Sequence, residues 1–297
     1  MAAPSIRHQA NDAQNLFDNR ASRYDDSWHP RFARHMVELA QLRPGEHVLD
    51  LACGTGLVSY PASSAVGPAG TVMGVDISSG MLAQAKAKWS SDAHNNVEFH
   101  QHSITGLDSL PELKGKRFDV IICASALVLL EHPAEALKQW VSYLEPGGRL
   151  ITDVTHPQSQ LPFIAFERVG HALGKPVPYY RTSFRGPNDL RFIMEAAGLQ
   201  VADVDLVSQM DIDGKDDLQS YLQDSDNPRI ERTFDVEDAD AMFDQNIDTW
   251  PMTDLAVPGL KLQARKLFEE EWAKLADATG KIREVDGVFV GIGRKPQ

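Results

Sequence analysis

The chain has 297 residues, 42% of them hydrophobic, enough for one large domain, or one domain with a sizeable insertion, around a real core. Its 29 Lys and Arg against 42 Asp and Glu give a net charge of -13, which repels a phosphate backbone and sets nucleic acid aside as a partner. No basic and apolar leader opens it, the longest apolar run (residues 120–130) is too short to span a bilayer, and its two cysteines fit neither a disulfide framework nor a metal-ligand spacing. A reduced, cytoplasmic protein is expected, with no membrane partner and no metal.

In chain order, "DAQNLFDNRASRYDDSW" and "PRFARHMVELAQL" read as two helices, the second carrying Phe32, Met36 and Ala40 on one stripe, with Gly45 just beyond its end. From residue 46 to 154, short β-rich runs alternate with helical ones, the pattern of βαβ units and a parallel sheet. Strands are expected at 47–51, 71–76, 97–102, 118–123 and 148–154. Helices are expected at 57–65, 79–89 and 133–144, the last opened by Pro133 and stopped by "EPGGR". "PNDLRFIMEAAGL" predicts a helix entering a strand at 200–207, and "GVFVGIGRK" a final strand.

Residues 209–284 then lie between two strands, far too many for a plain connection. "KLQARKLFEEEWAKLADATG" predicts an amphipathic helix with Leu267, Phe268, Trp272, Leu275 and Ala276 on one face. Residues 211–250 hold thirteen acidic and three basic side chains, a solvated acidic surface. A calcium loop in "DIDGKDD" is rejected, because Gly214 falls too early and Leu222 stands where a bidentate Glu is needed. The expected organisation is N-terminal helices (1–45), a core (46–208 and 285–297) and an acidic, largely helical insertion (209–284).

The stretch "VLDLACGTGLVS", residues 48–59, is a strand running into a turn of small residues that opens a helix. Such a turn lets a ligand touch backbone amides at a helix N-terminus. Asp76 closes the second strand, where a carboxylate accepts hydrogen bonds from ribose hydroxyls. A dinucleotide fingerprint wants a third glycine where this chain has Ser59, so a nicotinamide dehydrogenase is disfavoured.

Together with "GTVMGVDISSGMLAQAKAK", "FDVIICASALVLLEHPAEALKQWVSYLEPGGRLI" and "GVFVGIGRK", this stretch resembles the class I S-adenosylmethionine-dependent methyltransferases. The resemblance implies an α/β, Rossmann-like sheet of seven strands in the order 3-2-1-4-5-7-6, the last antiparallel, with helices on both faces. More narrowly, "AQNLFDNRASRYDDSWHPRFARHMVEL" running into "LDLACGTG" is similar to fungal secondary-metabolite enzymes of the gliotoxin bis-thiomethyltransferase group.

Carried over residue by residue, the resemblance puts Ala52, Cys53, Gly54 and Gly56 against the cofactor's methionine, with Asp50 shaping the turn. Asp76 would hold the ribose, Ile77 and Met81 would pack on adenine, and Ser103 with Ile104 would replace the Asp that often meets the adenine amino group. Ala124 and Ser125 fall near the methionine carboxylate and amine; for Ser125 a helix N-cap is an equal reading. Tyr24 would close over the cofactor, with a packing staple as the other reading, and both Tyr24 and His156 are candidates for a catalytic part.

An activated methyl group needs mainly an oriented nucleophile. The expected reaction is S-methylation of a dithiol metabolite, releasing S-adenosylhomocysteine. Methylation of oxygen, nitrogen or carbon in another small molecule, and use of the bound cofactor without methyl transfer, are the alternatives. Trp28, Trp250, Phe243, Tyr179 and Tyr180 are candidates for an aromatic lid, or simply for anchoring the insertion.

Overall fold

A computed structural model describes residues 14–297 except 16, 89–94, 176, 178–183, 208–229, 249–251 and 253. Strands β1 (His47–Leu51), β2 (Thr71–Asp76), β3 (Val97–Gln101), β4 (Phe118–Cys123) and β5 (Leu144–Thr155) are joined in parallel. Their residues are apolar on both faces, as a sheet covered by helices on each side requires. Leu49, Leu51, Ile121 and Cys123 face one core, while Val48, Val120 and Ile122 face the other. Strands β6 (Gln200–Val207) and β9 (Val288–Arg294) complete the sheet, with β9 antiparallel between β5 and β6.

The order is β3-β2-β1-β4-β5-β9-β6. Counted within this sheet β9 is the seventh strand, so the expected order 3-2-1-4-5-7-6 is the observed one. The extra numbers belong to β7 (Ile230–Asp235) and β8 (Lys281–Val285), which pair antiparallel in a separate two-stranded ribbon.

Helices α1 (His29–Ala40) and α2 (Ser59–Val66) cover one face through Phe32, Met36, Ala62 and Val66. Helix α3 (Ser79–Lys88) follows β2. On the opposite face lie α4 (Pro133–Ser142), through Leu137 and Trp140, and α6 (Pro187–Ala196), through Leu190 and Met194.

Several boundaries differ from expectation for local reasons. Helix α1 ends on Gln41, itself left-handed at φ 49°, and Gly45 serves the following turn at φ 88°. Strand β5 starts at Leu144, immediately before "EPGGR", and runs through it, because the chain pairs with Phe118, bulges through left-handed Gly147 and rejoins β4 at Arg149. The first expected helix is broken: residues 17–20 are helical, Ala21–Arg23 form a 3-10 turn, and the chain bends at 24–28. At this bend Ser27 Oγ donates to the Tyr24 carbonyl, and Thr55 Oγ1 donates to Asp25 Oδ1 at 2.6 Å.

The insertion builds its own core. Helices α7 (Ala239–Asn246) and α8 (Pro258–Ala273) bury Phe243, Phe268 and Trp272 with Ile282 of β8 against Ala165, Phe166 and Val169 of α5 (Leu161–Ala172). The face expected on α8 is the one that packs, with Leu267, Leu275 and Ala276 at its margin. The ribbon adds a strand pair to an insertion whose described residues are mostly helical; "IERTFD" is short and half charged, so it gave no strand signal. Part of the acidic charge is met by surface pairs, Arg265 with Asp240 and Asp244, and Lys261 with Asp248. Of the aromatics named for a lid, Phe243 belongs to this core, Trp28 packs against Phe32 on α1, and Tyr179, Tyr180 and Trp250 lie outside the described residues, as does "DIDGKDD".

One polar junction ties the layers together. Arg149 of β5, 5% exposed, donates to both Glu46 oxygens at 2.8 Å and to the carbonyls of Ala40 and Gln41 at the end of α1. Partial burial works against the Glu46 charge, but hydrogen bonds from Arg149 and Arg43 hold its pKa below the usual carboxylate range. Removing one partner of such a pair leaves the other charge buried, so Glu46→Ala is expected to lower stability by about 3–5 kcal/mol in urea unfolding. A change within ~0.5 kcal/mol would show that the junction contributes nothing.

Candidate functional site

The turn after β1 is left-handed at Ala52 (φ 55°), Gly54 (φ 54°) and Gly56 (φ 84°). Ala52 holds this conformation although it carries a Cβ, a local strain of the kind that collects at functional sites. A Cβ on Gly54 would meet nothing within 4 Å, whereas one on Gly56 would meet the Tyr60 ring at 2.9 Å. Gly54 therefore opens onto free space, and Gly56 is small because Tyr60 lies against it.

Asp76 ends β2 facing this turn. Its Oδ2 accepts the Gly54 N–H at 2.7 Å and its Oδ1 accepts the Ser78 N–H at 2.8 Å. Both oxygens are thus aimed, and each keeps a lone pair for a further donor. Burial raises the Asp76 pKa to about 6, against the pull of these amides.

Asp50 is buried beneath the turn and accepts the Ser59 hydroxyl, with burial raising its pKa to about 7. Ser59 stands where a dinucleotide fold has its third glycine, and its hydroxyl explains the departure: it braces Asp50 instead of admitting a closer helix. After β4, Ser125 is left-handed at φ 57° and its N–H donates to Asp153 Oδ1 at 2.6 Å. Its hydroxyl caps no helix, since the following 3-10 turn starts from Ala126 without a side-chain cap. The Ser125 Oγ is buried with no partner among the described residues.

These segments enclose a cavity of about 450 Å3. Ala52, Gly54 and Asp76 form its floor, Ile77 and Met81 one wall, Ser103 and Ile104 the next, and Ala124 and Ser125 the far end. Tyr24 and Phe17 cover it from the N-terminal segment, which is held by Asp18 accepting from Ser78 Oγ and the Gly80 N–H, and by Asp25 pairing with Lys88. Ser103 bonds to the Thr105 hydroxyl at 2.8 Å.

A second hollow of about 30 Å3 adjoins the cavity across Tyr24, Ala52, Gly54, Ala124 and Ser125. Asp50, Cys53 and His29 line it, and the Cys53 thiol is pushed well up by burial. Gly56 and His156 line neither space. His156 is buried at the turn after β5: its Nδ1 accepts the Gln158 N–H at 3.1 Å, its own N–H donates to Gly287, and its ring lies 5.1 Å from Phe289. This histidine joins β5 to β9, and the geometry does not bring it to the cavity.

Besides Phe17, Thr105, Gly106, Ala126, Leu129, Leu130 and Glu131, two sets of lining residues with side chains of note escaped the sequence reading. His132, Glu135, Ala136 and Gln139 line the cavity from α4 and its start, and their 0, 3, 4, 7 spacing marks one helix face. His29 is the other. Its ring stacks on Trp28 at 4.1 Å and lies 4.3 Å from Tyr24, with Nδ1 2.7 Å from Ser27 Oγ. Burial, then Arg20, lowers its pKa to about 3 against the pull of Asp25, so the ring is neutral. No short-range pattern in "SWHPRF" announces this contact.

Asp50 and Asp153, raised by burial to about 7, and Asp76, raised to about 6, bind protons in the folded state at pH values where an unfolded Asp does not. Their contribution is full below the ordinary Asp value and is lost as pH rises toward 7. The ligand-free protein is therefore expected to show a higher urea midpoint at pH 6 than at pH 8, with Asp153→Asn reducing the difference. Equal midpoints in the wild type would show that these carboxyls do not titrate in that window.

The family described as methyltransferase domain matches residues 42–198. The demethylmenaquinone methyltransferase of Lactococcus lactis subsp. lactis is 34% identical over 166 residues, 52% of this chain; the chain spans 63% of that relative, less than two thirds of its length. The ubiquinone/menaquinone biosynthesis C-methyltransferase UbiE of Pseudomonas savastanoi pv. phaseolicola is 31% identical over 183 residues, 57% of this chain and 70% of the relative. Among solved structures, the cyclopropane-fatty-acyl-phospholipid synthase-like protein from Lactobacillus casei gives a TM-score of 0.55 at 18% identity, covering 89% of this chain and 90% of that one, a likeness of fold alone. The narrower resemblance to gliotoxin-type thiol methyltransferases finds no support in these relatives. With the matched segment filling more than half of its length, the chain belongs to the methyltransferase domain family.

Proposed function

We propose that the protein transfers a methyl group from S-adenosylmethionine to a small aromatic acceptor, a reduced quinone or similar phenol methylated at carbon, and releases S-adenosylhomocysteine. The observation that carries the cofactor reading is Asp76, fixed by two backbone amides at the edge of a cavity into which Gly54 presents bare backbone. The names of the two quinone-acting relatives support the acceptor class.

The residues fit the cofactor. Asp76 has lone pairs left for ribose hydroxyls, Ile77 and Met81 offer an apolar wall to the adenine face, and Ala52 and Gly54 allow close approach of the methionine chain. The cofactor supplies a methyl group already activated on a sulfonium. What the protein adds is orientation and the exclusion of water, for which Tyr24 and Phe17 form the cover. Forming the bond to a ring carbon releases that carbon's proton, which passes to solvent as the ring regains its aromaticity; Tyr24, Phe17 and His156 take no part in that transfer in this reading.

The test is product mass after incubation with S-adenosylmethionine and a panel of quinols, dithiols, phenols and amines. A quinol that gains a carbon-bound methyl group, with S-adenosylhomocysteine formed alongside, is the expected result. Gain on a dithiol alone would replace the acceptor class by the thiol expected from the sequence. Bound cofactor with no acceptor gaining mass would overturn methyl transfer itself.

Asp76→Ala is expected to weaken cofactor binding tenfold or more by calorimetry, since a hydrogen bond to a charged group is worth about 1.5–3 kcal/mol; unchanged affinity would remove Asp76 from the site. His156→Ala is expected to keep the wild-type kcat, and a loss of about a hundredfold at unchanged fold would return that residue to the reaction.

A further inference from the structure

Along the segment after β4 the cavity lining changes character. Ala124 and Ser125 stand at the end read above as the cofactor's, and Ala126, Leu129 and Leu130 continue the wall as an apolar shelf. Beyond the shelf the lining turns polar at Glu131, His132 and Glu135, where α4 begins. A phenol has the same two parts, a flat apolar ring and a polar edge.

The helix face that carries these groups is fixed from its far end. One turn beyond Glu135, the Gln139 Oε1 accepts the N–H groups of Gly106 and Leu107, its Nε2 donates to Asp108, and Trp140 Nε1 donates to the Ile104 carbonyl at 2.8 Å. The His132 carbonyl accepts the Ala136 N–H, so its backbone is held as well. Its exposed ring, and the Glu135 carboxylate, have no hydrogen-bond or ion-pair partner among the described residues.

A ring carbon attacks a methyl group readily once the neighbouring hydroxyl, of ordinary pKa about 10, has lost its proton. Among the described residues the titratable groups lining the cavity are Tyr24, Asp76, Glu131, His132 and Glu135, with no Lys or Arg. Tyr24 is itself a phenol, and Asp76 is committed to the Gly54 and Ser78 amides and, in the reading above, to the ribose. A carboxylate, ordinarily about 4.3, is a weak base for such a proton, whereas an imidazole, ordinarily about 6.5, suits neutral pH. Glu135 lies one turn from His132 on the same face, where its charge favours an imidazolium.

We propose that His132 takes the hydroxyl proton of the phenolic acceptor, with Glu135 as the positioning residue that supports the imidazolium. This rests on the acceptor reading above. The O–H bond breaks toward the imidazole, and the ring carbon beside the phenolate oxygen forms its bond to the methyl group, whose former bonding pair stays on sulfur. That carbon's own proton leaves to solvent, and the imidazolium returns its proton to the oxygen, so one proton is released in all.

The test is kcat/KM between pH 6 and 9 for the quinol or phenol that the wild type methylates, with calorimetry of S-adenosylhomocysteine as the check on the cofactor end. His132→Gln is expected to lose about a hundredfold at pH 7. Its rate is then expected to climb about tenfold per pH unit with the free phenolate, while the wild type levels off. A fluorinated analogue of the acceptor, whose hydroxyl ionises at lower pH, is expected to narrow the gap. Glu135→Gln, the second variant, is expected to lose a smaller factor and to move the acidic limb of the profile to lower pH.

An unchanged His132→Gln rate at pH 7 would overturn the proposal, as would an equal loss at every pH, which a packing role produces. Weaker binding of S-adenosylhomocysteine by His132→Gln would overturn it too, by assigning the ring to the cofactor. A wild type that methylates amines or thiols and no phenol would overturn the acceptor reading and this inference with it, while sparing the cofactor reading.

Discussion

The two hydrogen bonds that Asp76 accepts, from Gly54 and Ser78, are the constraint on which the site depends. They fasten the turn after β1 to the end of β2 across the top of the sheet, and they do so only if the turn is left-handed at Ala52 and Gly54. The same arrangement recurs after β4, where left-handed Ser125 donates its amide to Asp153. Each strand end is thus curled back onto a buried carboxylate, and the space between the two curls is the cavity. Burying those carboxylates raises their pKa values, a cost set against the rigidity of the turns.

The cover depends on this floor. Residues 17–29 contribute Phe17, Tyr24 and His29 to the two spaces, and carboxylates hold the segment down at two points. Asp18 accepts from Ser78 and Gly80 at the start of α3, and Asp25 joins Thr55 to Lys88. The first contact lies directly beyond Asp76 and the second directly beyond Gly54, so floor and cover share their anchoring residues. The bend at 24–28 that interrupts the expected helix is what turns Tyr24 and His29 toward the cavity.

The insertion stands apart from this arrangement. Its buried aromatics, Phe243, Phe268 and Trp272, pack on α5 and not on the sheet. Helix α5 begins just beyond His156, whose ring rests on Phe289 of β9, so the insertion's core is carried by the end of β5. Among the described residues, none of the insertion lines the cavity or the hollow beside it.

The strands of the main sheet, the glycine turn and the acid at the end of β2 were legible in the sequence through short-range signals (apolar runs, small residues at a turn and a carboxylate at a strand end), whereas the sheet order and the lining residues Ile77, Met81, Ser103 and Ile104 were implied only by the family resemblance. The part of Ser59 as a brace for Asp50, the retreat of His156 into the β5–β9 junction and the place of His29 beside Ser125 were decided by tertiary structure alone. Each is a contact between side chains whose elements meet only when the sheet closes, and the ribbon of β7 and β8 escaped for the same reason, since its two strands lie some fifty residues apart. Local sequence determines what each segment can become. Which buried groups then face one another is settled by packing, because the cost of leaving a polar group unpaired is felt only once water has been excluded.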